Sequence, residues 1–373
     1  MIRDALLLGL DGSVQNENNK NDNSEFASDI TSIKQVDNTS MRLIARGGHG
    51  SVFLKNNTNT VIKFANNICD RQSLDKEAQI LKELKNLNCV VRIRESQDVE
   101  NLALDYIDGF DLSEVENLLA SSLLSKKIYI GEYLNTILYL NKELLKSIQS
   151  VSLAGFSHND IKPSNVMYDK NTECLKLIDF GEASSIGSAY RSGHETYASP
   201  EGLSSMGSNN KFNADESVDS WSFAQILFKQ ASLMLDGTAE AYQFELGELQ
   251  FGPREFQVFQ LWRAAEKFVK DGNSDSCVLP KDKVDRGIKN HCGGYIESAI
   301  MNFEQYSVFK EFVNNSSDLI NQLMKPKKHQ RIILNDALKH KTFDSMNEHE
   351  ARRTLKSLVR VQPDDINSDN YLS

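Results

Sequence analysis

From Met41 onward the chain alternates short apolar runs with polar turns. Met41 to Ala45 and Ser51 to Leu54 read as strands, divided by Arg46-Gly47-Gly48-His49-Gly50. The turn Asn56-Asn57-Thr58-Asn59 leads into a third run, Thr60-Val61-Ile62-Lys63-Phe64. β-Branched runs joined by Asn-rich turns predict a hairpin. The period then changes. Leu74, Ala78, Leu81 and Leu84 recur at three- and four-residue steps, which predicts a helix over 71–86. Two further strands are expected near 89–95 and 101–107, before Asp108-Gly109 breaks the pattern.

Beyond Gly109 the helical period dominates. Residues 131–153 carry Leu134, Ile137, Leu138, Leu140, Leu144, Leu145 and Ile148 on a long periodic helix. Short strands at Val166 to Tyr168 and Cys174 to Ile178 bracket an Asp169–Thr172 turn. Residues 219–235 read as an apolar helix, 238–315 as mixed helix and loop, Arg331 to Leu338 as a final helix and 344–373 as a charged tail. Residues 11–40 are rich in Asn, Asp, Ser and Thr, so ordering them would bury little apolar surface to offset the entropy lost. Residues 1–40 are therefore expected to form a flexible extension. Its apolar burst, Ala5 to Leu10, is flanked by Asp4 and Asp11 and fits a passive tail better than a secretory signal, with docking on the domain or a delivery signal as alternatives. The outline is α+β and bilobal: a small β-rich lobe with one helix over 41–108, and a larger, mainly α-helical lobe over 109–343. A nucleotide-sized cleft is expected between them.

Composition narrows the class. Apolar residues make up 40% and charged residues 25% of the 373, which suits a globular chain. A net charge of −10 argues against a general nucleic-acid surface or an anionic membrane surface as partner. The five cysteines include no CxxC pair, which points to reduced thiols and a cytoplasmic setting rather than a disulfide scaffold. No run approaches the length of a membrane span.

The chemistry concentrates in His158-Asn159-Asp160-Ile161-Lys162-Pro163-Ser164-Asn165. A carboxylate, an ammonium and a carboxamide lie within this stretch, and a second carboxylate follows 19 residues after Asp160, in Asp179-Phe180-Gly181. Together these groups can accept a proton, offset phosphate charge and hold a divalent cation, which is what phosphoryl transfer requires of a protein. Upstream, Gly47, Gly50 and Val52 follow the spacing of a phosphate-cradling glycine loop, with Ala45 at the first glycine position; a plain hairpin turn would read the same way. Lys63 stands 13 residues past Gly50 on a half-buried strand, where Glu77 of the next helix can pair with it. Read alone, Lys63 is equally a strand-edge lysine snorkelling to solvent.

These motifs together resemble the eukaryotic-type Ser/Thr protein kinase family over about residues 41–343. Tyr197-Ala198-Ser199-Pro200-Glu201 is similar to its A-P-E segment, Asp219-Ser220-Trp221-Ser222-Phe223-Ala224 to its D-x-W-S-x-G segment, and Arg331 to the arginine that pairs with the Glu201 position. The resemblance implies ATP and Mg²⁺ as cofactors and protein Ser/Thr hydroxyls as acceptors. Asp160, Lys162, Lys63 and Glu77 would be catalytic, and Asn165 and Asp179 would hold the metal. Ala45, Gly47, Gly48, Gly50, Val52, Val61, Lys63, Leu104, Asp105, Ile107, Asp111 and Met167 would surround the nucleotide, with Leu104 as gatekeeper and Asp111 reaching ribose. Leu81, His158 and Phe180 would stack in a regulatory spine anchored by Asp219. A monomer acting on protein substrates is expected, with no integral membrane association; delivery into a host cell is an open alternative for its location.

The chain departs from the family pattern in the catalytic loop, the activation segment and the second lobe as well as at Ala45, Ser199 and Ala224. Asn159 replaces the arginine of His-Arg-Asp, so it cannot make a charge-assisted contact to a phosphorylated activation segment. Activity is therefore expected not to require that phosphate, although Ser184, Ser185, Ser188, Tyr190, Ser192 and Thr196 offer acceptor hydroxyls. His194 stands where Ser/Thr kinases carry threonine. The 112 residues from Asp219 to Arg331 exceed the family's usual span, with the excess in 238–315 as a candidate partner- or substrate-binding insert. A small-molecule kinase of the aminoglycoside or choline type shares the catalytic-loop pattern, and a catalytically weak pseudokinase scaffold is the third reading. Lys162-Pro163 with Ser199-Pro200-Glu201 argues against the former, and the presence of every catalytic residue type argues against the latter.

Overall fold

The computed structural model describes residues 41–47, 50–95, 101–190, 193–205, 212–233, 311–312, 315–316, 318–325 and 327–359. The expected extension over 1–40, nearly all of the 238–315 insert, and Gly48 and His49 lie outside the described residues. The described residues from Leu43 to Val359 belong to one compact unit.

The first lobe is a four-stranded sheet in the order β1-β2-β3-β4. Its strands are β1 (Met41–Gly47), β2 (Gly50–Lys55), β3 (Thr60–Ala65) and β4 (Leu102–Asp105). β2 and β3 form the expected hairpin, with Val52 opposite Lys63, and β3 and β4 pair with Val61 opposite Leu104. Gly50 is required here: a Cβ at this position would sit 2.4 Å from the Phe64 carbonyl oxygen of the paired strand. The helix of this lobe, α1 (Ile68–Glu83), starts earlier than its apolar period because Asn67 caps it, accepting from the Asp70 N–H at 2.9 Å. Leu74, Leu81 and Leu84 are buried, as their spacing predicts.

The expected strand at 89–95 is not continuous. Its backbone is shared between two partners: the Val91 N–H bonds the Leu177 carbonyl, while the Arg94 N–H bonds the Ala103 carbonyl. Neither ladder runs long enough to form a strand, and the segment stitches the two lobes together.

The second lobe opens with β5 (Gly109–Asp111) and α2 (Leu112–Leu124). Its centre is α3 (Ile130–Leu153), whose buried face carries every apolar position named from the sequence. Antiparallel β7 (Val166–Asp169) and β8 (Cys174–Leu177) close the expected short hairpin, and β5 joins them in the order β5-β7-β8. Small strands β6 (Phe156–Ser157) and β9 (Ser184–Ser185) pair beside them. After α4 (Pro200–Ser205) comes α5 (Glu216–Leu233), whose Val218, Trp221, Phe223, Ala224, Ile226 and Leu227 are all buried.

The C-terminal part differs from expectation. The helix expected over Arg331 to Leu338 is only α6 (Leu334–Ala337), because Arg331 is extended and committed to an ion pair. The stretch after 343, expected as a charged tail, contains α7 (Glu348–Val359), which packs on α3 through buried Ala351, Thr354 and Leu355. A helix this rich in charge hides its narrow apolar stripe from a reading based on composition. Just before α6, the Lys328 ammonium bonds Asp215 at 2.6 Å at the surface.

Candidate active site

Strand β3 presents Lys63 and helix α1 presents Glu77, and the two meet with Lys63 Nζ 2.8 Å from Glu77 Oε2. The same ammonium lies 2.7 Å from Asp179 Oδ1, so one cation from the first lobe ties two carboxylates together. Lys63 and Glu77 are 9% and 1% exposed. Burial acts to lower the lysine pKa, but the Glu77 and Asp179 carboxylates outweigh it and hold the ammonium well above its ordinary value. Burial pushes Glu77 up against the pull of Lys63. Burial would also raise Asp179, yet Lys63 leads a set of cations, Lys162 included, that keeps it below the usual carboxylate range. Removing Lys63 would leave a buried carboxylate unpaired, at a cost of about 3–5 kcal/mol. This excludes the reading of Lys63 as a snorkelling strand-edge lysine.

The catalytic loop brings together the second group. Asp160 Oδ2 lies 2.8 Å from Lys162 Nζ and accepts from Asn165 Nδ2 at 2.9 Å. Asn165 Nδ2 also donates to the Asp160 carbonyl at 2.9 Å, so both amide protons are spent and its oxygen is the atom left to serve a ligand. Asp160 Oδ1 accepts from the His194 N–H at 2.9 Å. The residue standing in the usual threonine position thus steadies the aspartate with its backbone rather than a hydroxyl.

The loop is held from beneath by Asp219 of α5. This carboxylate accepts from the His158 N–H at 2.7 Å, the Asn159 N–H at 2.8 Å and the Ser157 hydroxyl at 3.0 Å. His158 Nε2 faces the Ile178 carbonyl at 3.0 Å, and a carbonyl only accepts, so Nε2 carries the proton. The His158 and Phe180 rings are 4.5 Å apart and both buried, as is Leu81. Arg331 forks onto Glu201 with two bonds of 2.6 and 2.7 Å, fixing the segment after Ser199-Pro200.

Two non-glycine residues of the site have left-handed backbones, Asn159 at φ +66° and Asp179 at φ +61°. Asn and Asp tolerate this region better than other side chains do, and such strain concentrates at working sites.

Around the expected nucleotide position, Val61 and Leu104 are buried opposite each other, Val52 and Met167 are half-buried, and Ala45 is exposed. Asp105 pairs with Arg94 at 2.5 Å through its side chain. Asp111, expected at the ribose, caps α2: its Oδ1 accepts from the Glu114 N–H at 2.8 Å, while its own N–H bonds Glu114 Oε2 at 2.9 Å. One carboxylate oxygen of Asp111 is thus committed to the cap. Ser184, among the candidate modified hydroxyls, is 2% exposed and held by Asn159, so it does not present itself to solvent.

Sequence reasoning missed two residues of α1 that touch the segment after Asp179. Ser73 Oγ donates to the Gly181 carbonyl at 3.1 Å, and Lys76 Nζ to the Ala183 carbonyl at 2.5 Å. Their signal was the spacing: Ser73 and Lys76 share a helix face with Glu77.

The chain is similar to "3-phosphoinositide-dependent protein kinase B" of Dictyostelium discoideum, 29% identical over 64% of this chain and 25% of that protein. It is similar to "Ovarian-specific serine/threonine-protein kinase Lok" of Drosophila melanogaster, 28% identical over 57% of this chain and 48% of that protein. It also resembles "Protein kinase YpkA" of Yersinia pestis, 34% identical over 30% of this chain and 15% of that protein. The chain spans less than half the length of these relatives. The protein kinase domain family matches residues 39–343, so the chain belongs to the protein kinase family.

Proposed function

We propose that this protein is an ATP- and Mg²⁺-dependent kinase that transfers the γ-phosphate to Ser or Thr hydroxyls of protein substrates. The observation that carries the reading is the Lys63 ammonium held 2.8 Å from Glu77 and 2.7 Å from Asp179, which joins the first lobe to the metal-ligand position of the second. The names of the serine/threonine-protein kinase relatives point the same way.

The donor set fits a hard cation. The Asp179 carboxylate and the Asn165 amide oxygen would hold Mg²⁺, an ion that takes a few protein oxygens and fills its remaining positions with water and phosphate. When bound, that ion neutralises phosphate oxygens. Lys63 offers its ammonium to the nucleotide phosphates. Asp160 accepts or orients the acceptor hydroxyl, its geometry fixed by Asn165, Lys162 and the His194 N–H. Lys162 offsets charge on the group in transfer. Neutral Asn159 supports the further reading that no phosphate on the activation segment is needed.

Radiolabelled ATP supplied to the wild type, Lys63→Ala and Asp160→Ala with protein and small-molecule acceptors tests the reading. Label should enter protein Ser or Thr and fall by about 10²- to 10⁴-fold in both variants. Label entering only small molecules, or nucleotide binding without turnover, contradicts it.

A further inference from the structure

Four consecutive backbone positions after Asp179 are each held by a side chain from outside the segment. The Phe180 N–H donates to Glu77 Oε1 at 3.1 Å. The Gly181 carbonyl accepts from Ser73 Oγ at 3.1 Å, the Glu182 carbonyl from Asn159 Nδ2 at 2.8 Å and the Ala183 carbonyl from Lys76 Nζ at 2.5 Å. Asn159 spends its second amide proton on Ser184 Oγ, also at 2.8 Å. Three of these side chains come from one face of α1, at positions i, i+3 and i+4, and the fourth sits between the spine histidine and the catalytic aspartate.

We propose that Ser73, Lys76 and Asn159 form a latch that keeps α1 and the start of the activation segment in catalytic register without a phosphate. The inference rests on the kinase reading above and names the groups that would replace the phosphate in it. A phosphate switch works by placing a dianion against a cation cluster. Here the side chain next to Asp160 is neutral, 2% exposed and committed through both amide protons. Its own N–H faces the Asp219 carboxylate, and Gly193 lies so close that a Cβ there would be 2.1 Å from the Asn159 carbonyl oxygen. A phosphate drawn to Asn159 would meet a carboxylate and a filled space. On the other side, the Lys76 ammonium donates to the Ala183 carbonyl. Because Glu77 shares the helix face with Ser73 and Lys76, any movement of that face away from residues 181–183 also takes Glu77 from Lys63. Ser73, Lys76 and Asn159 are thus positioning residues: they hold residues 181–184 and act through Lys63 and Asp179.

Hydrogen exchange by mass spectrometry on the full chain tests the latch, with the wild type, Lys76→Met, the double variant Ser73→Ala/Lys76→Met, and Lys76→Arg. Lys76→Met should speed exchange over residues 180–184 by about tenfold and lower kcat by a similar factor, with the melting curve still cooperative. The double variant should lose more, and Lys76→Arg should restore most of the loss, which a generic packing defect would not allow. Unchanged exchange at 180–184 in both the single and the double variant overturns the latch, whatever the activity. A wild type that phosphorylates no protein overturns the kinase reading instead, and the exchange measurement still judges the latch.

Discussion

Asp219 shows how much one buried side chain organises. Its carboxylate receives three donors from residues 157–159, and burial raises its pKa against the pull of His158 and those hydrogen bonds. Asp219→Asn preserves the shape but turns an NH₂ toward a backbone N–H. The substitution should cost about 2–3 kcal/mol, measured by urea unfolding of the full chain. An unchanged unfolding midpoint would show that the loop does not depend on this anchor. At this scale the sequence was highly legible wherever chemistry is contiguous: Asp160, Lys162, Asn165 and Asp179 stand in two short motifs whose spacing is set by local turns. Asn159 was legible as a missing charge but not as a hydrogen-bond donor to Glu182 and Ser184, because that role depends on a segment 23 residues away folding back over it.

Among the elements, the long helices read well because their apolar period continues over several turns, as in α3. Failures came where hydrogen bonding or packing was divided. Residues 89–95 have the composition of a strand, yet their backbone groups are shared between β4 and β8. The charge of α7 hid an apolar stripe that has meaning only against α3. The junction of α2, α3 and α5 carries a titratable group that no pattern announced. Glu116 accepts from Gln230 Nε2 at 2.6 Å, and Gln230 in turn accepts from Asn141 Nδ2 at 2.7 Å. Burial pushes Glu116 from 4.5 up to about 7, against the pull of Gln230 and Lys229. The sign follows from linkage: a carboxyl raised in the folded state stabilises the fold below pH 4.5, and that contribution is lost as pH rises through 7. Glu116→Gln, which keeps an acceptor for Gln230, should therefore raise stability at pH 8 by on the order of 1–3 kcal/mol and have little effect near pH 4. Melting curves across that range check it; a gain independent of pH would contradict it.

For the whole molecule, the polar contacts between the two lobes among the described residues include the backbone bonds of segment 89–95 to β8 and those that reach Asp179 and the four residues after it. No described helix is long and apolar enough to cross a membrane, in line with the sequence. The bilobal α+β architecture was legible from the change of period near Gly109, since a sheet period followed by helical periods leaves few ways to bury both sets of apolar faces. What could not be read was how the lobes are locked. Several of those bonds join side chains of α1 to backbone groups of residues 180–183, and a backbone group has no sequence signature. The proposed activity is phosphate transfer to protein hydroxyls from a geometry that needs no phosphate of its own. The most direct test is the initial rate of ³²P transfer from ATP to a protein acceptor by phosphatase-treated wild-type protein, against untreated protein and an Asp160→Ala blank. We predict a rate for the treated protein within about twofold of the untreated one and far above the blank, since losing a required activation contact would cost orders of magnitude more. A treated protein that falls to the level of the blank, and recovers only after rephosphorylation, would show that the site does need such a phosphate.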